Sequence, residues 1–348
     1  MTQYRVLEFV DGRLRMLDQR LLPHEMKYFE TEDYRQAADA IRDMVIRGAP
    51  AIGVAAAYGM ALAALHPHAR DTSALHIELE QAAQVLRAAR PTAVNLFWAV
   101  DRVMERVKHS PDSTMAELGM LVLREADAIA AENAWLCKQI GLNALELVPE
   151  QATFIHHCNT GALATVEYGT ALGIISTAYE HGKKVFAYVD ETRPRLQGAR
   201  LTAWELQQWG IPFTLIADGA AGHFLRQGRI NLALFGADRI ARNGDVANKV
   251  GSYMLATVAH ENGVPVYSVA PTSTVDLSLA EGDAIPIEER DPREVTEIGG
   301  VRIAPEGAHA ANPAFDVTPH RYLTGIITEN GIAYPPFDAS LPRLVNLQ

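Results

Sequence analysis

Thr153-Phe154-Ile155-His156-His157-Cys158-Asn159-Thr160-Gly161 runs an apolar stretch into a cysteine and then directly into turn-forming residues. Residues 162–180 after it read as helix, so the segment is a strand feeding a helix, the unit from which parallel α/β sheets are built. Cys158 falls at the carboxyl end of that strand. Unpaired N–H groups at the helix start would favour its thiolate. An isolated cysteine also serves often as a small buried apolar side chain, and position alone leaves both readings open.

The same texture continues downstream. Residues 184–189, 213–216, 232–235 and 264–269 are short β-branched or aromatic runs separated by helical stretches. Just beyond the strands stand Cys158, Asp190 with Glu191, Asp218 and Asp238, and the carboxyl ends of parallel strands are where such sheets bind ligands. These points are expected to converge on one crevice. No G-x-G-x-x-G follows the first strand, which speaks against a dinucleotide. Gly169 and Gly173 read as close-packing positions in a helix rather than a phosphate loop.

Upstream the pattern is mostly helical. A hairpin centred on Asp11-Gly12 precedes helices expected near residues 34–46, 51–65, 73–89 and 93–108, with Pro50 and Pro91 suited to first turns. Thr114 and Glu117 form a candidate capping box for a long helix ending near Gly141. In the sheet-forming part, the turn Asn243-Gly244-Asp245 is read as leading into a helix over 246–261. The chain is thus an α/β protein, with a mostly helical domain over 1–141 and a parallel-sheet domain over 150–348.

With 348 residues, 48% hydrophobic and 21% charged, the composition is that of a globular enzyme. A formal charge of −11 argues against a nonspecific grip on nucleic acid. Two cysteines give no disulfide framework, and no signal peptide is evident, so a reducing cytoplasm is the expected setting. The apolar run 51–65 is shorter than the ~20 residues that span a bilayer and reads as a buried helix, with no membrane partner expected.

His156 and Cys158 share a strand face, but with only Asp238 or His223 as possible third ligands they make no zinc site; His156 and His157 read as packing or supporting groups. Anion-binding signals are more coherent. Arg47-Gly48-Ala49-Pro50 sets a guanidinium and a flexible glycine at a helix start. Arg90-Pro91-Thr92-Ala93-Val94-Asn95 repeats the theme, and Asn248-Lys249 follows the Asn243-Gly244-Asp245 turn. Each alone is weak, because an arginine at a helix end is usually solvated or paired with a carboxylate.

Together with longer blocks, these residues resemble the methylthioribose-1-phosphate isomerase family, sugar-phosphate isomerases of methionine salvage. The resemblance runs through residues 47–53, 158–165 (Cys-Asn-Thr-Gly-Ala-Leu-Ala-Thr), 190–206, 236–249, 285–292 (Ile-Pro-Ile-Glu-Glu-Arg-Asp-Pro) and 312–319. It implies a helical domain joined to a Rossmann-like domain without a dinucleotide, no cofactor or metal, and a homodimer. It further implies that Cys158 and Asp238 are catalytic and that Arg47, Gly48, Ala49, Arg90, Gln197, Asn248 and Lys249 contact a small sugar-phosphate substrate. The segment Asp218-Gly219-Ala220-Ala221-Gly222 and the pair His156-His157 depart from the family pattern, which bears on the pocket at the sugar's 5-position.

An aldose 1-phosphate has its anomeric oxygen blocked, so the enzyme must drive ring opening. Asp238 is expected to be a buried carboxylic acid that protonates the ring oxygen, and Cys158 to move the C2 proton; a C2-to-C1 hydride shift is the competing route. Isomerases of 5-deoxyribose 1-phosphate or ribose 1,5-bisphosphate are the next reading. A non-catalytic binding protein like the regulatory subunits of translation initiation factor 2B is the third.

Overall fold

The computed structural model describes residues 4–91, 93–110 and 113–347. Thr92, in the second anion-binding stretch, lies outside the described residues. The chain divides into two compact units, Met1–Trp135 with Ala162–Glu167 and Leu136–Gly161 with Tyr168–Gln348.

The first unit opens with an antiparallel sheet of β1 (Leu7–Val10), β2 (Arg13–Leu17) and β3 (Tyr28–Thr31). Asp11 and Gly12 are both left-handed, with φ of 51° and 76°, and Val10 pairs with Arg13, so the Asp-Gly turn forms as read. Helix α1 (Tyr34–Arg42) is capped by Asp33. It stops at Arg42 rather than Ile46 because Met44 turns left-handed at φ 61° and the Val45 N–H donates back to the Ala40 carbonyl. Helix α2 (Ala49–Leu65) has Gly48 as its cap and Pro50 in its first turn. Fourteen of its residues are buried, so neighbours press on it from all sides. A Cβ on Gly53 would lie 2.9 Å from the Asn95 carbonyl oxygen, and one on Gly59 2.8 Å from Leu86. Helices α3 (Thr72–Ala89) and α4 (Val94–Lys108) follow; α4 takes Ala93 as its cap, so Pro91 stands ahead of the helix instead of in its first turn. Helix α5 (Met115–Asn143) begins with the expected capping box. The Thr114 N–H donates to Glu117 over 2.8 Å, and the Glu117 N–H returns to Thr114 Oγ1 over 3.3 Å. The one-turn helix α6 (Ala162–Thr165) also belongs to this unit, where Gln19 Nε2 donates to the Leu163 carbonyl over 2.7 Å.

The second unit is built on β4 (Gln151–His156), β5 (Lys184–Asp190), β6 (Phe213–Ile216) and β7 (Leu232–Phe235). Next come β8 (Arg239–Ala241), β9 (Val246–Lys249), β10 (Val266–Val269), β11 (Val275–Asp276) and the small hairpin β12 (Glu297–Ile298) with β13 (Val301–Arg302). The strands end with β14 (Phe315–Thr318), β15 (Gly325–Thr328) and β16 (Gly331–Ala333). Helices α7 (Ala171–Glu180), α8 (Ala203–Trp209), α9 (Ala221–Leu225), α10 (Ser252–Glu261), α11 (Arg293–Thr296) and α12 (Phe337–Val345) connect them.

The main sheet has the order β16-β15-β10-β7-β4-β5-β6 and is parallel except for β16. Counting β4 as first, its parallel strands follow the doubly wound order 3-2-1-4-5-6, with the reversal between β4 and β7. Consecutive residues serve opposite faces: Phe154, Leu234 and Ile327 join one buried cluster, and Ile155, Phe235 and Ile326 the other. Strands buried on both sides therefore read as continuous apolar runs.

Two of the expected helices do not form as single helices. Residues 162–180 are not one helix: Val166, Tyr168 and Gly169 are left-handed and separate α6 from α7. A Cβ on Gly169 would sit 2.6 Å from Gly161 Cα, so that glycine is a close-packing position, but in a loop. Residues 246–261 are also not one helix. Strand β9 pairs with β8 and with β14, and α10 starts only after Gly251 at φ 104°. Strands β15 and β16 carried no mark in the sequence reading. No helix among the described residues is long and apolar enough to cross a membrane.

Candidate active site

The site in the second unit grows from the end of β4. His157 is fully buried; its Nδ1 lies 2.9 Å from Asp190 Oδ2 and its Nε2 2.9 Å from the Val250 carbonyl oxygen. The carbonyl only accepts, so Nε2 is the donor, and the Nδ1–Oδ2 link holds the pair's other proton. Burial opposes charge on the imidazole, yet Asp190 and Asp218 hold His157 above its ordinary pKa. Burial likewise raises Asp190, against the pull of His157. His156 is different: burial and the neighbouring His157 push it down to about 3, so it is neutral, with Nε2 2.9 Å from Thr160 Oγ1.

Cys158 is buried and left-handed at φ 69°, a conformation uncommon for a residue with a side chain. Its N–H donates to Thr192 Oγ1 over 2.9 Å, and its carbonyl accepts from Thr202 Oγ1 over 2.7 Å. Thr192 in turn donates its N–H to Asp218 Oδ1 over 2.7 Å, and Arg193 donates to Asp218 Oδ2 over the same distance. The ends of β4, β5 and β6 are thus joined through Cys158, Asp190, Thr192 and Asp218, three of them positions singled out from sequence. Asn159 Nδ2 donates to Glu205 over 2.7 Å, and a Cβ on Gly161 would overlap that carboxylate.

Gln197 is buried at the start of a π-helical turn, Gly198–Thr202, that leads into α8. Its Oε1 accepts no hydrogen bond among the described residues. Gly198 is obligatory, because a Cβ there would overlap the Asp190 carbonyl oxygen. Thr192 and Leu196 join Cys158 among the left-handed residues, with φ of 63° and 58°, so unfavourable backbone is concentrated in this loop.

Beyond β7, Asp238 donates its N–H to the Ala247 carbonyl over 2.8 Å, but its side chain is exposed, where an enclosed carboxyl was expected. Asn248 and Lys249 lie on β9, not at a helix start. Asn248 is buried and donates to Ser252 over 2.7 Å; Lys249 Nζ donates to the Ala314 carbonyl over 2.6 Å and sits 4.6 Å from the centre of the Phe315 ring. The β9 end reaches the β4 end through the Val250–His157 bond, and a Cβ on Gly251 would lie 2.6 Å from His157 Cε1. A Cβ on Gly236 would likewise stand 2.9 Å from Thr160 Cγ2, so the turns after β7 and β4 are in contact.

The remaining sequence-derived positions lie in the first unit, where each is half-buried. Arg47, Gly48 and Ala49 form the entry to α2, with Gly48 at φ 91° and a Cβ there overlapping Ala164; Arg90 caps the end of α3. Among the described residues the donor cluster with metal-compatible spacing is His157, Asp190 and Asp218, within 4.8 Å of one another, not His156 with Cys158. Its atoms are largely engaged, since both Asp218 oxygens accept backbone N–H groups and both His157 nitrogens are hydrogen-bonded. Thr192, Thr202 and Glu205 were not singled out from sequence, although all three lie in the block 190–206; their hydroxyl and carboxyl groups were the available signal.

Residues 45–335 match the model of the Initiation factor 2 subunit family. The chain is 52% identical over 337 residues to the methylthioribose-1-phosphate isomerase of Acetivibrio thermocellus, covering 97% of this chain and 98% of that one. It is equally identical over 345 residues to the protein of that name from Synechococcus, covering 99% of each. Among solved structures, 5-methylthioribose 1-phosphate isomerase from Pyrococcus horikoshii superposes with a TM-score of 0.96 at 44% identity, over 100% of this chain and 97% of that one. The translation initiation factor eIF-2B delta subunit from A. fulgidus gives 0.92 at 38% identity, over 99% and 100%. With sequence identity sustained from end to end and a doubly wound sheet that superposes on theirs, the chain belongs to the methylthioribose-1-phosphate isomerases of the Initiation factor 2 subunit family.

Proposed function

We propose that this chain converts 5-methylthioribose 1-phosphate to 5-methylthioribulose 1-phosphate in methionine salvage, with Asp238 as the acid and Cys158 as the base. What supports the reading most is that Cys158 and Asp238 follow β4 and β7, the neighbouring strands between which the sheet reverses its order, where doubly wound sheets bind ligands. Covered by the bound substrate, the Asp238 carboxyl, exposed in the free protein, keeps a proton that it donates to the ring oxygen, and the C1–O4 bond breaks. The Cys158 thiolate takes the C2 proton and returns it to C1. The C2 hydroxyl proton leaves as the ketone forms and restores the Asp238 carboxyl, so the sequence is balanced and needs no added oxidant or reductant. The proposed substrate contacts are Arg47, Gly48, Ala49, Arg90, Gln197, Asn248 and Lys249, whose cationic and amide groups suit a phosphate and sugar hydroxyls.

Cys158→Ser and Asp238→Asn should each fold and lose about 10²- to 10⁴-fold in kcat. A folded variant with near-normal turnover overturns the role given to that residue. Substrate deuterated at C2 separates the routes: label fully retained at C1 favours a hydride shift, and exchange with water favours the thiolate. Comparing methylthioribose 1-phosphate, 5-deoxyribose 1-phosphate and ribose 1,5-bisphosphate tests the 5-substituent. Likeness to the eIF-2B subunit supports a second reading, a binding protein; it gains if folded protein turns over none of the three.

A further inference from the structure

Two threonine hydroxyls hold the N–H and the carbonyl of Cys158, and the roles of both are fixed by their partners. Thr192 Oγ1 accepts the Cys158 N–H over 2.9 Å and gives its own proton to the Asp190 carbonyl over 3.1 Å. Thr202 Oγ1 gives its proton to the Cys158 carbonyl over 2.7 Å and accepts from Asn159 Nδ2 over 3.1 Å. Both threonines are 0% exposed, so water does not compete for these bonds. Between them Cys158 holds a left-handed φ of 69°. A residue with a Cβ relaxes from that region unless its surroundings over-determine it, and relaxation here would swing the sulfur away.

We propose that Thr192 and Thr202 are positioning residues that aim the Cys158 thiol, acting through its backbone and never touching substrate. The inference rests on the reading of Cys158 as the reacting group. Thr192 is itself fixed by its N–H bond to Asp218, which gives that carboxylate at the end of β6 a task in the same chain of contacts. Thr202 closes the π-helical turn that starts after Gln197, so one turn sets both the thiol and a proposed substrate contact. A π-helical turn is a rare local geometry found often at functional sites.

Valine keeps the shape of threonine and removes the hydroxyl; serine keeps the hydroxyl. Thr192→Val, Thr202→Val and the two serine variants are to be compared by steady-state kinetics on 5-methylthioribose 1-phosphate. In parallel, the iodoacetamide alkylation rate at Cys158 is read by peptide mass spectrometry, which separates it from Cys137. Each valine variant should lose about a hundredfold in kcat with KM within about threefold, because a small misplacement of a reacting group is felt in turnover. Alkylation at Cys158 should shift by about tenfold, and serine should bring both readouts back to within about threefold of the parent. Folded valine variants with parental kcat and alkylation, a rise in KM at constant kcat, or serine variants as impaired as valine would each overturn the proposal. Should a valine variant not fold, the alanine variant at that position takes its place in the comparison with serine. If the parent protein does not turn over the substrate, the functional reading fails by itself, and alkylation still decides whether the hydroxyls aim the thiol.

Discussion

Glu294 shows how a single carboxylate ties the loop after β5 to the rest of its unit. Burial works against its charge, but Arg290, Arg195 and Asn312 outweigh it and hold the carboxyl at about 2, against 4.5 in the unfolded chain. Arg195 donates to Glu294 over 2.7 Å, and Arg195 stands two residues before Gln197. A depressed carboxyl stabilises the fold above its unfolded pKa, and that contribution fades as pH falls from 4.5 towards 2. Glu294→Gln should therefore be less stable than the parent at neutral pH, by at most about 3 kcal/mol, with the gap closing in acid. Thermal melts from pH 7 to pH 2 check this; a gap independent of pH would contradict it. The position of Asp238 at a strand end was legible in sequence, whereas its exposure was not, because exposure depends on what the following hairpin leaves uncovered. The threonines around Cys158 were silent for a related reason. Their partner lies 34 and 44 residues away, and no local pattern marks a hydroxyl that serves so distant a peptide.

At the level of elements, local signals worked wherever the physics is local. The Asp11-Gly12 hairpin, the Thr114–Glu117 cap and the apolar runs of β4 to β7 all formed as read. Thr114→Ala should lower the stability of α5 by about 1 kcal/mol, measured as a reduced melting temperature with unchanged activity, since the cap satisfies end groups far from the chemistry in sequence. Where pairing is distant, the reading failed. Val246-Ala247-Asn248-Lys249 has neither alternation nor strong strand character, and β9 is a strand because β8 lies on one side and β14 on the other. The break after α6 was hidden similarly: Val166 and Tyr168 are left-handed, which composition does not announce, and only Gly169 hinted at it. The reading of Lys249 as a helix-start anion site fell with the helix, although the next residue, Val250, still bonds to His157 after the end of β4.

For the whole molecule, the family resemblance set expectations that composition alone did not reach. It named the catalytic pair and the substrate contacts, whereas the strand ends were legible from the apolar runs, and the 3-2-1-4-5-6 order accounts for why Cys158 and Asp238 follow adjacent strands although 80 positions separate them in the numbering. Assembly is testable at this scale. Sedimentation equilibrium should return twice the 38.0 kDa chain mass for the proposed homodimer, and a single-chain mass at micromolar concentration would contradict it.

The bonds that seat Cys158 run between hydroxyls and peptide groups deep in the protein, where dissolved ions have no purchase. The proposed capture of a phosphate ester by the half-buried Arg47 and Arg90 is another matter, since mobile ions weaken attraction between accessible charges beyond about 8 Å at physiological strength. Added potassium chloride should accordingly slow encounter, read as a falling kcat/KM, and leave turnover at saturation almost untouched. The enzyme would then meet a changing ionic milieu with a variable appetite for its substrate and a constant pace of chemistry.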